Sequence, residues 1–244
     1  MTGQIKTAMV LAAGVGSRLK PLTDSMPKPL VNVGGRPIIL RTLQMLADAG
    51  IERVVINTHY FAPMLETAVK AAIPVGMTVH FSYEDELLET GGGIKKALPL
   101  LGDDPFLTVN SDAVWLDGMK PMLKPLMAAF DTAKHDVLLA VVPTTETHEF
   151  QPLGDFKFTK KTGAKAGLLS RTGTRESWNV VYAGVSISKP GLFMNIPEVK
   201  FSQNIIWMDL AAAKRLHGWV YGGRWREIGS HHGLELARAL VAGT

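Results

Sequence analysis

The residues best suited to chemistry lie near the amino terminus. They are Leu11-Ala12-Ala13-Gly14-Val15-Gly16-Ser17-Arg18, then Leu19-Lys20-Pro21-Leu22-Thr23, then Met26-Pro27-Lys28-Pro29-Leu30. The apolar run Ala8–Leu11 reads as a buried strand that feeds a glycine turn. Gly14 and Gly16 let backbone approach a phosphate with no side chain in the way, and successive N–H groups of the Leu11–Ser17 stretch can face its oxygens. Arg18 adds a fork of donors suited to phosphate. Lys28 stands between two prolines, which bias its segment towards extended backbone and argue against a helix there. A lysine on so stiff a segment is a pre-placed point charge. Other glycine-loop chemistries fail on detail: a dinucleotide G-x-G-x-x-G needs glycine where Leu19 stands, and no G-x-x-x-x-G-K-[ST] occurs.

Two further clusters could complete such a site. Glu89-Thr90-Gly91-Gly92-Gly93 joins a strand region to a helix beginning at Ile94. Read as a loop, it lets a flat nucleobase lie against backbone whose N–H and C=O groups read its edge. Asn110-Ser111-Asp112 follows the strand Phe106–Val109. A carboxylate at the carboxyl end of a buried strand sits where α/β sheets bind ligands. Its oxygens suit Mg²⁺, or Mn²⁺, shared with substrate phosphates. The histidines have no metal-ligand spacing, and adjacent His231-His232 read as exposed residues at a helix start.

These residues need a scaffold, and the hydropathy pattern supplies one. Strand patterns at Ala8–Leu11, Val54–Ile56, Thr78–Tyr83, Phe106–Val109 and Val137–Val142 alternate with helical patterns at Pro37–Ala49, Pro63–Ala72 and Ile94–Leu101. Alternation of this kind predicts an α/β fold on a largely parallel sheet. The polar stretch 144–178 reads as a small β insertion, with Phe156–Phe158, a turn near Gly163 and Leu168–Leu169 as its hairpin. Val180–Ile187 resumes a strand, and Gln203–Leu216 and His231–Val241 read as helices. No linker or repeat divides the 244 residues, so one domain with an insertion is expected.

Composition narrows the function classes. Apolar residues make up 46% and charged residues 20%, as in a soluble globular protein. No cysteine is present, which removes disulfide scaffolds, thiolate metal sites and cysteine nucleophiles. The net charge of +4 is spread without a basic stripe, so no nucleic-acid partner is expected. No run approaches the roughly 20 apolar residues of a membrane span, and no signal peptide is evident. The expectation is a cytoplasmic protein without a membrane partner.

Leu11 to Leu30 resembles the signature of the sugar-1-phosphate nucleotidyltransferases, L-A-A-G-x-G-x-R-x-x-P-x-T followed by P-K-P. The resemblance extends more weakly over almost the whole chain. It implies a Rossmann-like three-layer αβα sandwich with a mixed, mainly parallel sheet, a divalent metal, and a nucleoside triphosphate and a sugar 1-phosphate as substrates. Under it, Leu11, Ala12, Ala13, Gly14, Gly16, Ser17, Thr90, Gly91 and Gly92 would bind the nucleotide. Arg18 and Lys28 would be catalytic, and Asp112 a metal ligand. Ser111 departs from the family's Gly-Asp at that point. Arg224-Trp225-Arg226-Glu227-Ile228-Gly229-Ser230 is similar to W-x-D-[VIL]-G-T, whose aspartate is a second metal ligand. Glu227 stands in that place, one methylene longer, with an ion pair to Arg224 or Arg226 as the alternative. Asn110, Gly154, Asp155, Tyr182 and Gly184 would line the sugar site. The lysine of the family's E-K-P element has no counterpart in Glu149-Phe150-Gln151-Pro152. The E-T-G-G-G form, and more loosely Phe201-Ser202-Gln203-Asn204, resemble the N-acetylmuramate-1-phosphate uridylyltransferases of bacterial cell-wall recycling. Glucose or mannose 1-phosphate with another nucleotide, and a nucleotide-sugar sensor without turnover, are the rival expectations.

Overall fold

The structure is a computed structural model that describes residues 5–116, 121–146, 153–162, 164, 166–171, 174 and 178–243. The turn expected near Gly163 and the segment Glu149-Phe150-Gln151-Pro152 lie outside these residues.

The strands are β1 (Thr7–Leu11), β2 (Asn32–Val33), β3 (Arg36–Pro37), β4 (Arg53–Thr58), β5 (Thr78–Tyr83), β6 (Phe106–Asn110), β7 (Ala113–Leu116), β8 (Val137–Pro143), β9 (Lys157–Thr159), β10 (Gly167–Ser170), β11 (Val180–Ser188), β12 (His217–Val220) and β13 (Arg224–Glu227). The helices are α1 (Ile38–Asp48), α2 (Ala62–Lys70), α3 (Glu89–Leu101), α4 (Leu123–Ala129), α5 (Gly191–Met194), α6 (Asn204–Ala212) and α7 (His231–Ala242).

The main sheet runs β5-β4-β1-β6-β11-β8-β12-β10-β9. β5, β4, β1 and β6 are parallel, as strand–helix alternation requires. β11 is antiparallel to both β6 and β8, and β12 is parallel to β8. The hairpin β9–β10 is antiparallel and continues the sheet beyond β12. Central strands such as β1 and β8 are buried on both faces and read as unbroken apolar runs.

One face of the sheet packs on α1, α2 and α4 through Leu43, Leu65 and Leu126. The other packs on α3, α5 and α6 through Ile94, Phe193 and Trp207. The result is a Rossmann-like three-layer sandwich with a mixed sheet. A third cluster joins α7 to β2 and β7 through Leu234, Val33 and Val114. β7 pairs with β13, so the Asn110–Asp112 turn leads directly into the small sheet, in which Ala113 is opposite Glu227.

Two local details differ from expectation. Lys28–Leu30 forms a 3-10 turn, because the first N–H groups of such a turn need no internal partner and Pro29 therefore costs it nothing. α3 begins at Glu89 rather than Ile94, so the three glycines are helical. A Cβ on Gly91 would collide with the Phe201 ring, and one on Gly92 with the Val199 carbonyl oxygen. The glycines admit the 199–201 segment against the first turn of the helix.

Candidate active site

The carboxyl ends of β1, β4, β5 and β6 open into one cleft of about 400 Å³. Where β1 stops, the chain turns through Gly14, whose Cα side faces open space, and Gly16, at φ +69°. A Cβ at Gly16 would lie 2.9 Å from the Lys28 Cβ, so this glycine brings the loop hard against the lysine segment. Thr23, fully buried, donates from Oγ1 to the Gly16 carbonyl at 2.9 Å and holds the turn. Lys28 Nζ lies 2.7 Å from Asp112 Oδ2, in a pair whose side chains are only 13% and 22% exposed. Arg18 remains exposed, with its guanidinium 3.3 Å from where a Cβ on Gly229 would stand. The amino-terminal motif and the Arg224–Ser230 motif thus meet across the cleft.

Of the residues singled out in the sequence, Leu11, Ala13, Gly14, Gly16, Ser17, Arg18, Lys28, Thr90, Asn110 and Asp112 line this cleft. Ala12, Gly91 and Gly92 are buried behind it. Asp155 does not line it, and its Oδ2 accepts the Tyr182 N–H at 3.0 Å. Gly154 (φ +65°) and Gly184 (φ +77°) take backbone shapes that favour glycine. Gly184 lies at the irregularity in β11, against Ala113 and Asn110. Tyr182 packs edge-on against Trp207, at 4.7 Å between ring centroids. Burial raises its phenol above the ordinary value, with Ser186 opposing and the charge of Asp112 adding to the rise, so it stays protonated. Among the insertion's cations, Arg171 lies 4.6 Å over the Phe156 ring and bonds Asn204, while Lys157, Lys160 and Lys161 are exposed. Lys165 and Arg175 lie outside the described residues. His231 begins α7 as an exposed residue, and Ser230 caps that helix by accepting the Gly233 N–H at 3.1 Å.

The profile of the nucleotidyl transferase family matches residues 7–154, which hold the glycine loop, Lys28 and Asp112. The chain belongs to this family. Two relatives match along nearly their whole length. The N-acetylmuramate alpha-1-phosphate uridylyltransferase of Caulobacter vibrioides is 37% identical over 240 residues, covering 97% of each chain. The protein of the same name from Neisseria meningitidis serogroup B is 33% identical over 239 residues, covering 96% of this chain and 97% of its own. Among solved structures, a UDP-glucose pyrophosphorylase complexed with UDP-glucose superposes with a TM-score of 0.82 over 98% of this chain and 99% of its own, at 20% identity. That likeness shows the fold.

In this nucleotidyl transferase, Asp112 and Glu227 come together through the small sheet, where the Ile228 N–H donates to the Asp112 carbonyl at 2.9 Å. Desolvation, then the Asp112 carboxylate, raises the Glu227 carboxyl, while Lys28 and Arg18 oppose the rise. Asp112 lines the cleft, whereas Glu227 is exposed and does not line it; their carboxylates would suit a hard divalent cation that takes part of its shell from water and phosphate. No group of three or more metal-ligating side chains exists among the described residues. No helix is long and apolar enough to cross a membrane among them.

Asn57 and Glu84 also line the cleft, and the motif reading missed both. Asn57 lies within the carboxyl end of β4, and Glu84 follows β5 directly. The strand-end rule that singled out Asp112 applies to them equally.

Proposed function

We propose that this nucleotidyltransferase condenses UTP with N-acetylmuramic acid α-1-phosphate, giving UDP-N-acetylmuramic acid and pyrophosphate. The observation that carries the chemistry is the Lys28–Asp112 pair, at 2.7 Å, beside the open turn Gly14–Arg18. An oxygen of the sugar phosphate attacks the α-phosphorus in line. The bond from that phosphorus to the bridging oxygen breaks, and pyrophosphate carries off the electron pair. No covalent enzyme intermediate is needed, so the protein's work is positioning and charge neutralisation. Arg18 holds the triphosphate and the departing pyrophosphate. Lys28 binds the phosphates around the reacting centre. Asp112 with Glu227 would hold Mg²⁺, or Mn²⁺, which when bound neutralises charge on both phosphate groups. Both Thr90 and Asn110 line the cleft, and the reading gives Thr90 to the nucleoside and Asn110 to the sugar. Asp155, Tyr182, Gly154 and Gly184 shape the wall behind the sugar. The reading places the enzyme in the cytoplasm, with its nucleotide substrate, and in cell-wall recycling.

The choice of uridine and muramate rests on the two relatives, both similar across nearly the full chain. The test is pyrophosphate release under a panel of nucleoside triphosphates and sugar 1-phosphates. UTP with N-acetylmuramic acid 1-phosphate should give the highest kcat/KM. An equal or higher kcat/KM with N-acetylglucosamine 1-phosphate, which lacks the lactyl group, overturns the muramate assignment. Productive use of GTP or ATP in preference to UTP overturns the uridine assignment.

A further inference from the structure

β1 ends its ladder at Leu11, which is in register with Asn57 on one side and Asn110 on the other. The next amide, Ala12 N–H, donates to Asn57 Oδ1 at 2.7 Å. Asn57 Nδ2 donates in turn to Glu84 Oε1 at 2.7 Å. The other carboxylate oxygen, Glu84 Oε2, accepts the Leu88 N–H at 3.0 Å, at the residue that precedes α3. His59 Nδ1–H fixes the Glu84 backbone by donating to its carbonyl at 2.8 Å. Asn57 and Glu84 are 3% and 1% exposed, and no Lys or Arg among the described residues pairs with Glu84. A carboxylate so buried is retained only where its acceptors are used.

The surroundings are built to admit this chain of bonds. A Cβ on Gly93 would stand 2.6 Å from Glu84 Oε1 and 2.9 Å from Asn57 Nδ2, so the third glycine of the helix start leaves room for it. Leu88 is also held from the other side, where its carbonyl accepts the Phe201 N–H at 3.2 Å. The next residue, Glu89, has φ +60°, a conformation rare for a residue with a side chain. Backbone strain of this kind persists only where neighbours over-determine it. Residues at both ends of the relay line the cleft, Leu11 and Ala13 at one end and Leu87, Glu89 and Thr90 at the other.

We infer that Asn57 and Glu84 are positioning residues that lock the β1 turn to the start of α3, setting the width of the slot that takes the nucleoside end of the triphosphate. The inference rests on the nucleotide-binding reading above. Neither side chain needs to touch the reacting atoms.

The polarity of the relay gives the test. In Asn57→Asp, two carboxylates face each other. In Glu84→Gln, an amide N–H₂ must oppose either Asn57 Nδ2 or the Leu88 N–H. The double variant Asn57→Asp/Glu84→Gln reverses the central bond and restores all three bonds of the relay. Its new carboxylate at position 57 accepts from Ala12 N–H and from the new amide at position 84, and the oxygen of that amide accepts from Leu88 N–H. Each single variant of the full chain, with Mg²⁺, should raise the KM for UTP about 10-fold, the scale of one buried group left unpaired. The KM for the sugar phosphate should hold within about 2-fold, because the relay leaves that end of the cleft alone. The double variant should recover the UTP KM to within about 3-fold of wild type, the non-additivity expected of groups in one network. Amide exchange at Ala12 and Leu88 should be protected in wild type and in the double, and faster at one or both in each single, where the mispaired centre weakens its outer bonds. A double variant as impaired as its singles, singles that fail to fold, or singles that change both KM values alike would assign the pair to general stability and overturn the inference. A Glu84→Gln enzyme that prefers CTP would mean direct contact with the base, and overturns it too. If wild type neither binds nor turns over UTP, the functional reading fails instead, and the exchange pattern alone then decides whether the relay exists.

Discussion

At the scale of single residues, the site depends on a few charges placed where backbone allows them. Lys28 packs its stem against the Gly16 turn and offers its ammonium to Asp112 at 2.7 Å. The pair is largely buried, but both residues line the cleft, where water or a bound cation can take the place of the ammonium beside Asp112, so its loss costs folding less than that of an enclosed pair. Lys28→Ala should therefore lower turnover roughly 10²-fold or more while shifting Tm by only a few degrees. Pyrophosphate assay and thermal melting on the same preparation check this. A fully active variant removes Lys28 from catalysis, and a melted one makes it structural. Asp112→Asn keeps the shape and drops the charge. It should lose most activity and raise the Mg²⁺ concentration needed for what remains, as a metal titration would show. Wild-type activity that persists in excess chelator refutes the role given to Asp112.

At the scale of elements, connections between strands and helices decide more than the elements themselves. The first turn of α3 is held by backbone, with Gly91 and Gly92 N–H both donating to the Phe201 carbonyl at 2.8 and 3.0 Å. Lys95 Nζ ties the same helix to the Ile196 carbonyl. At the far end of the sheet, His135 fills the turn between α4 and β8. Its Nδ1 accepts the Asp131 N–H at 3.0 Å, and its ring lies 4.8 Å from that of His217, the first residue of β12. Burial, then His217, pushes His135 down to about 4, with Lys134 and Lys189 adding to the fall and Asp131 opposing it. The folded state therefore binds this proton less readily than the unfolded chain, whose histidine titrates near 6.5. Stability from this source is complete above that value and is lost as pH falls towards 4, by up to ~3 kcal/mol. Tm should drop across that window. His135→Asn, whose Oδ1 can still accept the Asp131 N–H, should flatten the drop. An unchanged pH profile in that variant would show that other groups carry it.

At the scale of the whole molecule, the cleft draws its walls from both ends of the chain. β1 and the Lys28 turn come from the first 30 residues, and Gly229 from the last 16. The nucleotide should therefore act as a clamp on the complete fold. UTP with Mg²⁺ at about 100 times its Kd should add about 2.7 kcal/mol to stability by mass action. The melting transition should move as one unit, with far-UV and tryptophan signals shifting together. Transitions that separate on adding UTP would show that the two ends of the chain do not share the site.

The sequence by itself determined the strands and the phosphate-facing chemistry. Apolar runs such as Val137–Val142 have one burial solution, and Gly14, Gly16, Arg18, Lys28 and Asp112 form a pattern of donors and a carboxylate that few chemistries need. That pattern gave Lys28 to the phosphates and Asp112 to a metal; the direct Lys28–Asp112 contact across 84 residues comes from the tertiary structure. Tertiary structure decided what local patterns do not encode. Gly91-Gly92-Gly93 reads as a flexible loop because glycine is a poor helix former, yet contact with Phe201, Val199 and Glu84 places all three inside a helix. Asn57 and Glu84 are single polar residues at strand ends, 27 positions apart, and neither carries a spacing signal. The parallel pairing of β4 and β5 sets Asn57 opposite Ser82 and so brings Glu84, two residues further on, within its reach, because a contact between strands is fixed by register and not by either residue's neighbours in the chain.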